Sequence, residues 1–116
     1  ILKPNMILPG KKSGEKIDNK TIAEMTFDVL KSNVPSEVPG IAFLSGGQSS
    51  DLASKRLNLL NEMYIKDRPW SLTFSYGRAL QEDALLNWSK GSIKKTQQAL
   101  IHRAHMNHLA SMGKIK

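Results

Sequence analysis

Cysteine is absent from the 116-residue chain, which excludes disulfides and thiolate-held zinc. No apolar run approaches the roughly 20 residues that a transmembrane helix requires. The first apolar stretch is broken by Lys3 and Pro4 and has no basic flank ahead of it, so no secretory leader is read there. With neither leader nor disulfides, the expected compartment is the cytoplasm, and no membrane partner is expected. Aromatic residues amount to only 6%. Trp70 and Trp88, with Phe43, Phe74 and the methionines, read as core or interface, not as a platform for stacking bases.

Acidic residues are missing from the whole segment after Trp88. Lys90, Lys94, Lys95, Arg103, Lys114 and Lys116 therefore carry nearly all of the net charge of +7, which arises from 17 Lys and Arg against 10 Asp and Glu. Such a segment can attract nucleic acid or another polyanion. The plainer reading, preferred here, is a solvated helix face, so nucleic acid is not expected as a partner. His102, His105 and His108 recur every three residues and fan around a helix, because each step of three advances about 300°. They do not converge on one ion, and no metal or other cofactor is expected.

What remains is ordinary globular material, 40% hydrophobic and 23% charged. A mass of 12.9 kDa allows one domain at most, or a piece of a larger one. Ile1 opens directly inside an apolar run, which suggests a chain cut at the edge of a strand.

Strand and helix signals alternate along the sequence. Short strands are expected near Ile1–Lys3, Ile41–Leu44 and Leu72–Ser75. Asp18 offers an N-cap, and Ile22, Met25, Val29 and Leu30 recur at helical spacing up to Asn33. Ser49 or Ser50 caps a second helix with Ala53, Leu57 and Leu60 on one face. A shorter helical turn is expected over Ala79–Trp88. A last helix is expected from about Ser92 to Met112, with Ile93, Leu100, Ile101, Ala104, Leu109 and Met112 as its apolar stripe. Such alternation implies parallel strands with crossover helices. Two architectures remain, an open doubly wound sheet or a barrel. Three units are too few to close a barrel, but eight at this pitch need roughly 310 residues, within the range of (β/α)8 barrels.

Polar residues and glycines gather at the carboxyl end of each strand, the rim where parallel α/β folds bind ligands. Lys3 stands there, just before a proline that cannot continue the ladder. It reads either as a lysine reaching to water or as an amine whose lowered pKa lets it attack a carbonyl. Ser45-Gly46-Gly47 ahead of a helix is either a plain turn or an anion cradle. Arg78, preceded by Gly77, is either a surface arginine or a fork for phosphate oxygens.

Three blocks carry a resemblance: Leu2-Lys3-Pro4-Asn5-Met6, Phe43-Leu44-Ser45-Gly46-Gly47-Gln48-Ser49, and Leu72-Thr73-Phe74-Ser75-Tyr76-Gly77-Arg78-Ala79-Leu80-Gln81. In order and spacing they closely resemble class I fructose-bisphosphate aldolases, and the likeness runs to Met112-Gly113-Lys114. The resemblance implies that residues 1–116 are the C-terminal part of one barrel domain, a (β/α)8 TIM barrel of which this chain supplies the last three units. It implies a lyase of glycolysis that cleaves fructose 1,6-bisphosphate reversibly to dihydroxyacetone phosphate and glyceraldehyde 3-phosphate. By the same resemblance Lys3 forms the Schiff base, and Ser45, Gly46, Gly47, Ser75, Gly77 and Arg78 hold substrate phosphate. No metal is needed, because the protonated imine withdraws the electrons. The remaining aldolase chain and a homotetramer are the implied partners. The family's aspartate, glutamate and second lysine for proton transfer lie on earlier strands, so this segment alone is expected to be inactive. The competing readings are a non-catalytic half-barrel binding a polyanion or partner protein, and a Schiff-base aldolase for another sugar phosphate.

Overall fold

The computed structural model describes residues 1–116. After an extended opening segment, the elements follow as α1 (Asn19–Asn33), β1 (Gly40–Phe43), α2 (Ser50–Tyr64), β2 (Ser71–Phe74), α3 (Arg78–Ser89) and α4 (Ile93–Ser111). β1 and β2 are parallel, with Ile41 opposite Leu72 and Phe43 opposite Phe74. The expected first strand is reduced to one parallel bridge between Leu2 and Ile41 on the free edge of β1. Its bonds are nevertheless those of a parallel neighbour: Leu2 N–H donates to Gly40 O at 3.1 Å and Ala42 N–H to Leu2 O at 2.9 Å. Pro4 then supplies a carbonyl, to Leu44 N–H at 2.9 Å, but has no N–H of its own, and the pairing ends there. The expected parallel order of three adjacent segments therefore holds, with the first too short to be a full strand.

All four residues of β1 are buried, as the central strand requires. Helix α1 starts where Asp18 accepts the Thr21 amide at 2.9 Å and the Thr21 hydroxyl at 2.8 Å. Its buried stripe is Ile22, Ala23, Thr26, Phe27 and Leu30, whereas Met25 and Val29, expected on that face, are exposed. The stripe is turned toward Phe27 because that ring stacks on Tyr64 at 3.8 Å and meets Trp70 edge-on at 6.4 Å. Thr26 is buried because its hydroxyl accepts Ile7 N–H at 3.0 Å, which ties the opening segment to α1. In α2 the expected Ala53, Leu57 and Leu60 are all buried.

Helix α4 departs most from expectation. Its buried residues are Arg103, Asn107 and Ala110, while Ile93 and Ile101 are each 70% exposed and Leu100 and Ala104 are also exposed. Only Leu109 and Met112 of the expected stripe are even partly buried. The cause is polar docking. Ser54 donates to Asn107 Oδ1 at 2.6 Å, Arg103 Nη1 donates to Ser54 Oγ at 3.1 Å, and Asn61 Nδ2 donates to Ala110 O at 3.0 Å. A face chosen by hydrogen bonds leaves no hydrophobic period to read. The two tryptophans also separate: Trp70 is buried and donates to Pro35 O at 2.8 Å, whereas Trp88 stands exposed on α3.

Candidate active site

Parallel pairing brings the ends of three segments to one edge. Pro4 O accepts Leu44 N–H at 2.9 Å, and Phe43 O accepts Ser75 N–H at 2.8 Å. Lys3, Ser45 and Ser75 thus lie one behind another across the same rim, close to where each segment leaves the sheet. Lys3 is exposed, and Ser45 and Ser75 are half-buried. The chain's ion pairs are Lys20–Glu24, Lys55–Asp51 and Arg103–Asp83, so neither Lys3 nor Arg78 is neutralised by a carboxylate.

The loop after β1 has the backbone of an anion cradle. Gly46 and Gly47 take φ of +60° and +84°, the left-handed region that side chains resist. A Cβ on Gly46 would lie 3.2 Å from Leu8 Cδ1, and one on Gly47 would lie 2.8 Å from Lys11 Cε. Gln48 closes the turn, its backbone N–H reaching Ser45 O at 3.1 Å and its side-chain amide reaching the same oxygen at 2.9 Å. Ser49 then caps α2 by accepting Leu52 N–H at 3.4 Å. The second turn is simpler. Gly77 is the N-cap of α3 and offers no side-chain acceptor to the amides of that first turn, where the exposed Arg78 stands. Unmet amides at a helix start, beside a free guanidinium, suit an oxyanion.

The structure therefore places Lys3, Ser45, Gly46, Gly47, Ser75, Gly77 and Arg78 on loops or segment ends at the carboxyl side of the sheet. One pocket opens in the chain, with a volume near 230 Å³, and it takes in Gly46 and Gly47 from that set but not Lys3, Ser45, Ser75, Gly77 or Arg78. Its remaining polar wall is Lys11, Gln48, Ser49 and Arg56, of which Lys11 and Arg56 lie outside the three motif blocks and Gln48 has no assigned role within one. Arg56 was legible only as a charge interrupting the buried positions Ala53, Leu57 and Leu60 of α2. Tyr76 likewise has no assigned role within its block, although it anchors the rim: its buried hydroxyl donates to Ala53 O at 2.9 Å and fixes the end of β2 against α2.

The arrangement is that of a parallel α/β protein whose polar groups collect where its strands end. Comparison with known proteins narrows this. The family profile described as "Fructose-bisphosphate aldolase class-I" matches residues 1–116. The chain is 48% identical over 118 residues to fructose-bisphosphate aldolase B of Sparus aurata, and 49% identical over 117 residues to fructose-bisphosphate aldolase 1 of Caenorhabditis elegans. Those alignments take in 100% and 98% of this chain and 32% of each relative. The cytosolic fructose-bisphosphate aldolase 4 of Arabidopsis thaliana is 46% identical over 100% of this chain and 30% of its own length. A crystal structure of fructose-bisphosphate aldolase from Plasmodium falciparum, in complex with TRAP and a small-molecule inhibitor, superposes with a TM-score of 0.86. It is 42% identical and covers 99% of this chain and 33% of its own. The chain belongs to the class I fructose-bisphosphate aldolase family. It spans about a third of the length of the curated relatives it matches.

Proposed function

We propose that this chain is the nucleophile- and phosphate-bearing part of a Schiff-base fructose-bisphosphate aldolase. Residues 1–116 then form the closing wall of one (β/α)8 barrel domain, whose other strands belong to the rest of the aldolase chain. The observation that carries the reading is the alignment of Lys3, Ser45 and Ser75 on one rim through the Pro4–Leu44 and Phe43–Ser75 backbone bonds. The amine of Lys3 adds to the ketone carbon of fructose 1,6-bisphosphate and water leaves, giving a protonated imine. The bond between carbons three and four breaks, its electron pair moves into the imine, and glyceraldehyde 3-phosphate departs. The enamine is protonated, and hydrolysis frees dihydroxyacetone phosphate and the amine. Gly46 and Gly47 let backbone amides approach one phosphate, Ser45 and Ser75 add hydroxyls, and Arg78 with the Gly77 turn supplies charge. The proton-transfer groups come from the missing strands, so the segment alone is inactive. The complete enzyme works in the cytoplasm as a homotetramer, in keeping with relatives named as cytosolic.

The test is covalent trapping. Borohydride added to the full-length protein with dihydroxyacetone phosphate reduces the imine and fixes the ligand on Lys3. Peptide mapping should find the adduct there, and Lys3→Arg should lose it with the charge kept. An adduct on another lysine, or cleavage that persists in Lys3→Arg and disappears with EDTA, overturns the assignment.

A further inference from the structure

The pocket of 230 Å³ lies between the segment around Leu8–Lys11, the glycine loop and the first turns of α2. Two cationic side chains, Lys11 and Arg56, line it, and no acid does. Arg56 is 9% exposed, yet it pairs with no carboxylate. Its guanidinium meets only neutral oxygens, with Nε donating to Asn19 Oδ1 and Nη1 to Gln48 Oε1, both at 2.9 Å. Nη2 has no acceptor on the protein. Burial pulls the Arg56 pKa below its ordinary value. Most of the side chain is out of water with no counter-charge while its Nη2 edge still reaches solvent, and an anion at that edge offsets the partial desolvation. Lys11 extends the same field. Its Nζ lies where it would be 2.9 Å from a Cβ on Gly47, so it rests over the backbone of the glycine loop and makes no ion pair. Of the acids in α2, Asp51 is already engaged with Lys55 at 2.8 Å.

We propose that this pocket is a second phosphate site, in which Lys11 and the Nη2 edge of Arg56 hold a phosphate dianion, either free or as a small phosphomonoester. The site is separate from the rim: the glycine loop forms a shared wall, while Lys3, Ser75 and Arg78 take no part. A phosphate there neutralises the unpaired charge and clamps Lys11 onto α2, so occupancy stiffens the loop that leads from Lys3 toward α1. The proposal stands whether or not Lys3 is the nucleophile.

Acylation of Lys11 in the full-length protein reads occupancy directly. An N-hydroxysuccinimide ester is applied in inorganic phosphate, in glycerol 3-phosphate, or in sodium chloride of equal ionic strength, and the Lys11 peptide is quantified. Phosphate at about four times its Kd should slow labelling about fivefold by mass action, and chloride should not. Protection by inorganic phosphate alone assigns the site to the free ion; protection by both assigns it to the phosphate group of a phosphomonoester as well. Protection should survive Arg78→Ala and vanish in Arg56→Gln. Equal labelling in phosphate and chloride overturns the proposal, and this comparison needs no variant. Loss of protection in Arg78→Ala overturns it too, because the bound phosphate would then belong to the rim.

Discussion

Arg103 of α4 reaches Asp83 of α3 at 3.1 Å, and the same guanidinium donates to Ser54 of α2, also at 3.1 Å. One side chain therefore joins three helices. Arg103 is nearly buried whereas Asp83 is half-exposed, so the pair is partly screened by water. Arg103→Ala leaves Ser54 and Asn107 with a truncated network, and should lower unfolding stability by about 2 kcal/mol. Chemical denaturation checks this. Arg103→Lys should recover only part of the loss, since a point charge cannot serve Asp83 and Ser54 together. Equal stability of wild type and Arg103→Ala would show that the network is incidental.

Arg78 is exposed, free of carboxylates, and next to the uncapped start of α3. In the full-length enzyme, Arg78→Ala should cost about 2–3 kcal/mol of binding to a phosphorylated substrate, through loss of a charge-assisted contact. Kinetics with fructose bisphosphate and with an unphosphorylated analogue separate the outcomes. Only the phosphorylated substrate should suffer, and equal losses for both would remove Arg78 from the phosphate site.

Tyr76 sets an alkaline limit. Burial raises its phenol pKa well above the ordinary value. A folded pKa above the unfolded one means that the stabilisation is complete below about pH 10 and is lost as pH climbs beyond it. Tyr76→Phe removes the bond to Ala53 O and should cost about 1 kcal/mol at neutral pH. It should also flatten the fall in melting temperature above pH 10, leaving the smaller contribution of Tyr64, whose pKa is raised by burial and then by Glu24, Asp28 and Asp67. An unchanged alkaline slope in Tyr76→Phe would contradict this.

Asp18 acts at the other end of the pH scale. The Thr21 amide, then the Thr21 hydroxyl, bond to its carboxylate and hold its pKa below the ordinary value. Its contribution is therefore present above about pH 4 and is lost as pH falls through the lowered folded value. Asp18→Asn keeps a capping oxygen and should match wild type at low pH while losing the acid-sensitive component. Melting temperatures at pH 3 and pH 7 measure it, and an identical acid slope in both proteins would show that the cap carries no linked charge.

Local chemistry made much of the architecture legible. Asp18 and the Ser49-Ser50 pair announced two helix starts, the structure making Ser49 the cap, because a short oxygen-bearing side chain meets orphan amides whatever the tertiary context. The glycines after β1 and the proline after Lys3 marked where segments leave the sheet, since backbone freedom and a missing N–H are properties of single residues. The three blocks around Lys3, Ser45 and Arg78 were sufficient for the aldolase family. Only the tertiary structure decided which helix faces are inside. Helix α4 buries Arg103 and Asn107 because Asp83, Ser50 and Ser54 await them, from 20 to 53 positions away in the chain. Arg56 gave no periodic signal of a pocket, because its partners Asn19 and Gln48 come from two other parts of the chain. Hydrophobic spacing reports burial only where burial is driven by apolar area; where it is driven by partnered polar groups, the partners must first be brought together by the fold.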